Sequence, residues 1–108
     1  MNKRRNRETL IGTGKIYKEE KKIATALYSL RANQDFIVDD PTPGSSEIPG
    51  SIEYTCQISI IDGEHDLFDD GVLILHLMDG RRWQFIVTSG DISSGNYKAV
   101  TSNGEGPV

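Results

Sequence analysis

The densest group of side chains able to do chemistry lies in DGEHDLFDDG, from Asp62 to Gly71. Asp62, Glu64, Asp66, Asp69 and Asp70 offer hard oxygen ligands and His65 a nitrogen, a donor set suited to calcium. The spacing departs from an EF-hand loop at two places. Its sixth position falls on Leu67, where the sharp turn needs glycine, and no glutamate closes the twelfth. Stretches rich in Asp and Gly are ordinarily solvated turns. The expectation is therefore an acidic turn, with these five carboxylates as weak metal candidates. A transition metal needs more nitrogen or sulfur, and His65, His76 and Cys56 lack ligand spacing. No cofactor is expected.

Other reactive groups stand without partners in the pattern. Cys56 sits in an alternating apolar stretch with no His or Asn motif around it, so it reads as a small buried residue rather than a nucleophile. As the one cysteine it forms no intramolecular disulfide, which makes the cytoplasm the simplest compartment. His76 reads as a partly exposed cross-strand histidine, not a catalytic base. Arg81 and Arg82 beside Trp83 could stack on bases and touch phosphates; the plainer reading is a solubilised hairpin tip next to a buried indole. Gly12-Thr13-Gly14-Lys15 lacks the spacing of a Walker loop or a dinucleotide fingerprint. These glycines suit a bulge or a close backbone approach within a strand.

The element that must position these groups is VLILHLMDGRRWQFIVTS, Val72 to Ser89, two apolar runs around the turn dipeptide Asp79-Gly80. A two-residue turn pairs His76 with Trp83 and gives mixed faces. A three-residue loop with Gly80 left-handed pairs Leu75 with Trp83 and Leu73 with Phe85. The second register gathers Leu73, Leu75, Leu77, Trp83, Phe85 and Val87 on one face. A slip of one residue exchanges the faces, so the cleaner core selects the bulged register.

That register leaves Val72, Ile74, His76 and Met78 beside Gln84, Ile86 and Thr88 on the second face. This face is too apolar for one meant only for water. Ser51 to Ile61 shows the ordinary pattern: Ile52, Tyr54, Cys56, Ile58 and Ile60 on one side, polar residues on the other.

Before these strands, Thr9 to Tyr17 reads as a first strand. Lys18 to Asn33 admits two readings. Ile23, Leu27 and Leu30 fit one helix face, whereas Ala24, Ala26, Tyr28 and Leu30 alternate as a strand would. The strand is preferred, after a turn at Lys18 to Lys21, with a helix at 18–32 as the alternative. Asp39 to Gly50 reads as a Pro/Gly/Ser-rich loop, Gly90 to Gly95 as a turn, and Asn96 to Thr101 as a last strand.

The 108 residues carry a net charge of −4, although Lys3, Arg4, Arg5 and Arg7 crowd the start. An acidic domain suits sequence-independent nucleic-acid binding poorly. The basic start has no apolar stretch after it to make a signal peptide, and no run is long enough to span a membrane. The whole predicts a mainly β fold: a small antiparallel β-barrel or sandwich of about six strands, comprising a disordered basic arm at 1–8, one domain at 9–101 and a flexible tail at 102–108. The expected function is a soluble, non-enzymatic binding or assembly module acting through the exposed sheet face. Its interface would comprise Val72, Ile74, His76, Met78, Gln84 and Ile86. A homodimer or a protein partner would cover it, with no nucleic acid and no membrane involved. A small-molecule carrier is the alternative if the barrel is hollow, and an enzyme of unrecognised class is disfavoured.

Overall fold

The computed structural model describes residues 2–38, 47–68 and 71–108, with side chains for 8–34, 52–68 and 71–108. Six strands form one antiparallel sheet: β1 (Asn2–Lys18), β2 (Lys21–Val38), β3 (Glu47–Gly63), β4 (Leu73–His76), β5 (Arg82–Asp91) and β6 (Asn96–Thr101). The sheet closes into a barrel in the order β1-β2-β3-β6-β5-β4. No helix is present among the described residues, and none is long and apolar enough to cross a membrane.

The central hairpin adopts the bulged register. Leu73 faces Phe85 and Leu75 faces Trp83. The Leu77 N–H donates to the Arg81 carbonyl, and Gly80 takes a left-handed φ of 90°. The stretch 18–32 is a strand after its turn, so the alternative helix does not form. Ala24, Ala26, Tyr28, Leu30 and Ala32 all point into the core, while Leu27, which a helical stripe would have buried, stands exposed. The turn before β2 has no glycine, and Glu19 takes the left-handed φ of 56° instead. Such a residue costs on the order of 1 kcal/mol, which the long β1–β2 ladder on either side offsets.

The barrel interior is taken up by side chains. Trp83, Phe85, Ile16, Leu30, Ile58, Leu73 and Leu75 are fully or almost fully buried. Trp83 and Phe85 stack with ring centroids 5.4 Å apart. The alanines of β2 are the small counterparts that leave room for these rings inside a narrow barrel. The Trp83 Nε1–H donates to the Thr101 hydroxyl at 2.6 Å, and that hydroxyl donates to the Glu105 carbonyl at 2.6 Å. The one polar atom of the central indole is thus satisfied by β6 and the segment after it.

Three boundaries differ from the sequence reading. The segment 1–8, expected as a disordered arm, is paired strand from Asn2 onward, its backbone matched to β2 from Asn2↔Ile37. Ladder pairing satisfies the backbone whatever the side chains, and β2 is long enough to template it. The expected loop 39–50 loses 47–50 to β3, while 39–46 lie outside the described residues. The tail 102–108, expected to fray, returns to the barrel. Val108 and Arg82 exchange backbone hydrogen bonds of 2.9 and 2.8 Å on the edge of β5 beyond the end of β6.

Trp83→Ala is expected to cost about 3–5 kcal/mol, because it empties the centre of the interior and orphans the Thr101 contact. Chemical denaturation measures it; a melting temperature equal to wild type would overturn the assignment of Trp83 as the keystone.

Candidate functional site

With the interior filled, the groups free to meet another molecule lie outside. The outer face of β1, β4 and β5 is built by two registers. Lys15 pairs with His76 and Tyr17 with Ile74 across β1 and β4. His76 pairs with Arg82 and Ile74 with Gln84 across β4 and β5. Side chains alternate along a strand, so each row of pairs shares one face. One row is Lys15, His76 and Arg82; the next is Tyr17, Ile74 and Gln84. Ile86 continues the face towards Val100 of β6.

The six residues expected to form an interface are therefore not uniform. Val72 and Ile86 are 54% and 37% exposed, and Ile74 is half-buried between Tyr17 and Gln84. Gln84 accepts a hydrogen bond from the Asn103 amide at 3.2 Å. His76 is half-buried and stacks on Tyr17 with ring centroids 4.1 Å apart. Met78 is exposed at the hairpin tip, where its N–H donates to the Tyr28 hydroxyl at 3.1 Å. Sequence reasoning missed Tyr17 and Lys15 as neighbours of this face. Their alternation in β1 was legible, but the strand they would pair with was not.

Burial, and then the charges of Arg82 and Lys15, hold the His76 imidazole below its ordinary value of 6.5. At the neighbouring tip, Arg81 holds the Asp79 carboxylate at 2.7 Å and reaches Glu8 at 3.8 Å. Hydrogen bonds from Arg81 lower the Asp79 pKa.

The acidic loop is tied to the barrel rather than gathered around a centre. The Tyr97 hydroxyl donates to the His65 carbonyl and accepts from the Leu67 N–H at 3.4 Å. Leu67 is buried and Phe68 packs edge-on against Tyr97 at 5.3 Å. Among the described residues no three of His, Cys, Asp and Glu come close enough to hold a metal, so Asp62, Glu64 and Asp66 are not brought together. Asp69 and Asp70 lie outside the described residues. Cys56 is buried, and desolvation pushes its thiol up to about 12, which leaves little thiolate near neutrality.

A second apolar surface lies across β2, β3 and β6, bordered by Ile11 of β1 and by the end of β5. Ile11 and Leu27, 76% and 50% exposed, flank a groove of about 540 Å³ that reaches Tyr97 and Lys98. No known family, curated protein or solved structure matches this chain.

Two measurements follow from this geometry. His76 is expected to titrate below 6.5 in an NMR pH series. Its folded value is the depressed one, so the unfolded chain binds the proton more readily. Stability then falls as pH drops through that window, and His76→Gln removes the slope; a midpoint above 6.5 would contradict the burial and charges described. Millimolar calcium is expected to leave the melting temperature unchanged, since a ligand bound only to the folded state would raise it. A chelator-reversible rise would restore the acidic loop as a metal site.

Proposed function

We propose that this protein is a non-enzymatic assembly module that self-associates through the outer face of β4 and β5. The observation that supports this reading is the exposure of Val72 and Ile86 beside Ile74 on a face whose barrel interior is already filled. Apolar area left outside a packed core gains only by meeting another surface. A two-fold pairing of like faces is the commonest way for a small domain to cover one. The filled interior weighs against a carrier, because Trp83 and Phe85 occupy the space a ligand would need. The single reduced Cys56 suits a cytoplasmic setting.

The groove beside Leu27 supplies a competing surface for the same role. Light scattering after size exclusion separates the two. The wild type is expected to run as a dimer at high micromolar concentration, Ile86→Glu as a folded monomer and Leu27→Glu as a dimer. Dissociation by Leu27→Glu alone would move the interface to the groove. A monomeric wild type would refute self-association.

A further inference from the structure

Lys15, His76 and Arg82 stand side by side on three adjacent strands, at the edge of the β4–β5 face away from Ile86; of the three, the expected interface includes His76 alone. The two cross-strand pairs Lys15↔His76 and His76↔Arg82 put the three in one row. Neighbouring strands lie about 4.8 Å apart, so Lys15 and Arg82 start roughly 10 Å from each other at the backbone, a gap that their long side chains can close onto one tetrahedral oxyanion beside His76. The row borders a pocket of about 310 Å³ on the outer face, whose lining also includes Thr13, Tyr17 and Met78. None of the lining residues is acidic.

The balance of charge around the pocket is one-sided. Asp79 at the hairpin tip and Glu8 on β1 are both engaged by Arg81. Neither Lys15 nor Arg82 takes part in an ion pair among the described residues. The groups facing His76 are Lys15 and Tyr17 from β1 and Arg82 from β5. Three nitrogen-bearing side chains thus line one pocket with no acidic side chain among its described lining residues. Thr13 adds a hydroxyl, and the imidazole is fixed in place by its stack on Tyr17. Arg82 is held at its backbone by Val108, which anchors one end of the row.

We propose that this pocket is a binding site for a divalent oxyanion, the phosphate group of a small soluble molecule. Arg82 supplies a planar pair of donors, Lys15 a point charge, and His76 a donor that strengthens when protonated. The Gly12-Thr13-Gly14-Lys15 stretch takes part through two side chains of a regular strand, with none of the cradling backbone of a phosphate loop. The depressed His76 pKa accords with this arrangement: burial and two neighbouring cations resist its proton, and a bound anion would relieve the part due to charge. Binding should therefore strengthen as pH falls through the His76 range.

The test is an amide NMR titration at constant ionic strength with inorganic phosphate, and with sulfate for the pH series. Sulfate remains a dianion throughout, whereas phosphate groups titrate near pH ~6. Saturable shifts are expected at Gly14, His76 and Arg82, and chloride should not reproduce them. The double variant Lys15→Gln/Arg82→Gln is expected to weaken binding about tenfold or more while keeping the wild-type melting temperature. Lys98→Gln, an exposed cation on β6, should bind as wild type does. Sulfate should bind more tightly at pH about 5.5 than at about 8. Linear shifts without saturation, equal shifts with chloride, or unchanged binding in the folded double variant would overturn the site. Vesicles containing phosphatidate give a further arm. Retention by them without any response to soluble phosphate would place the phosphate on a lipid surface and overturn the small-molecule proposal.

Discussion

The barrel closes through three residue pairs. Lys15↔His76, Ile16↔Leu75 and Tyr17↔Ile74 are the whole β1–β4 seam, whereas β1 and β2 pair along nearly their full lengths. The seam depends on a close approach at Gly14, where an added Cβ would lie 2.7 Å from the His76 carbonyl oxygen. Any side chain there would push β4 away and open the ring. Because residues alternate across a sheet, the same three pairs do two jobs. Ile16 and Leu75 go inward to a fully buried core, and Lys15, Tyr17 and His76 meet outside. The closed fold and the composition of its outer face are one constraint.

Filling the ring then requires residues of unequal size. Trp83 and Phe85 on β5 are matched by the alanines of β2 and by Ala99 on β6. The indole N–H of Trp83 ties this packing to Thr101, and through Thr101 to the chain after β6. The tail is thereby drawn across the end of the barrel, with Pro107 beside Leu10, Leu30 and Tyr54. The hydrogen-bonding atom of the apolar centre thus joins the Gln84 and Arg82 backbone bonds in fixing where a polar, glycine-rich segment lies.

What was legible in the chain was local. The hairpin register followed from Asp79-Gly80 and from the need for one apolar face, β3 from alternation, and β6 from its place after the turn at Gly90 to Gly95. The strand at β2 is readable in the alternation of Ala24, Ala26, Tyr28 and Leu30, all four of which are buried. The turn at Lys18 to Lys21 lies where the charged, apolar-free stretch put it, although its left-handed residue, Glu19, tolerates that φ poorly and is made acceptable by the ladders beside it. One feature carried no local mark. The β1–β4 seam joins residues some sixty positions apart, and nothing in TGKIY or LILH names the other. The cationic row lies on that seam, so it could not be read from spacing.

The sign of the whole molecule is a poor guide to that row. The chain carries −4 overall, and of its acidic residues Glu64 and Asp66 lie in the loop held by Tyr97. Exposed charges are screened over roughly 8 Å at physiological salt, so distant carboxylates act weakly on an anion seated beside Lys15. What acts on it is the pocket's own lining, where the exposed Lys15 and Arg82 stand well within that screening distance and Arg81 has engaged the nearby acids. Net charge governs encounter and solubility; the local arrangement of three strands governs what stays bound. An acidic composition therefore disfavours a long polyanion, which must lie along a broad surface. It bears little on a single phosphate group, which needs only the width of three strands.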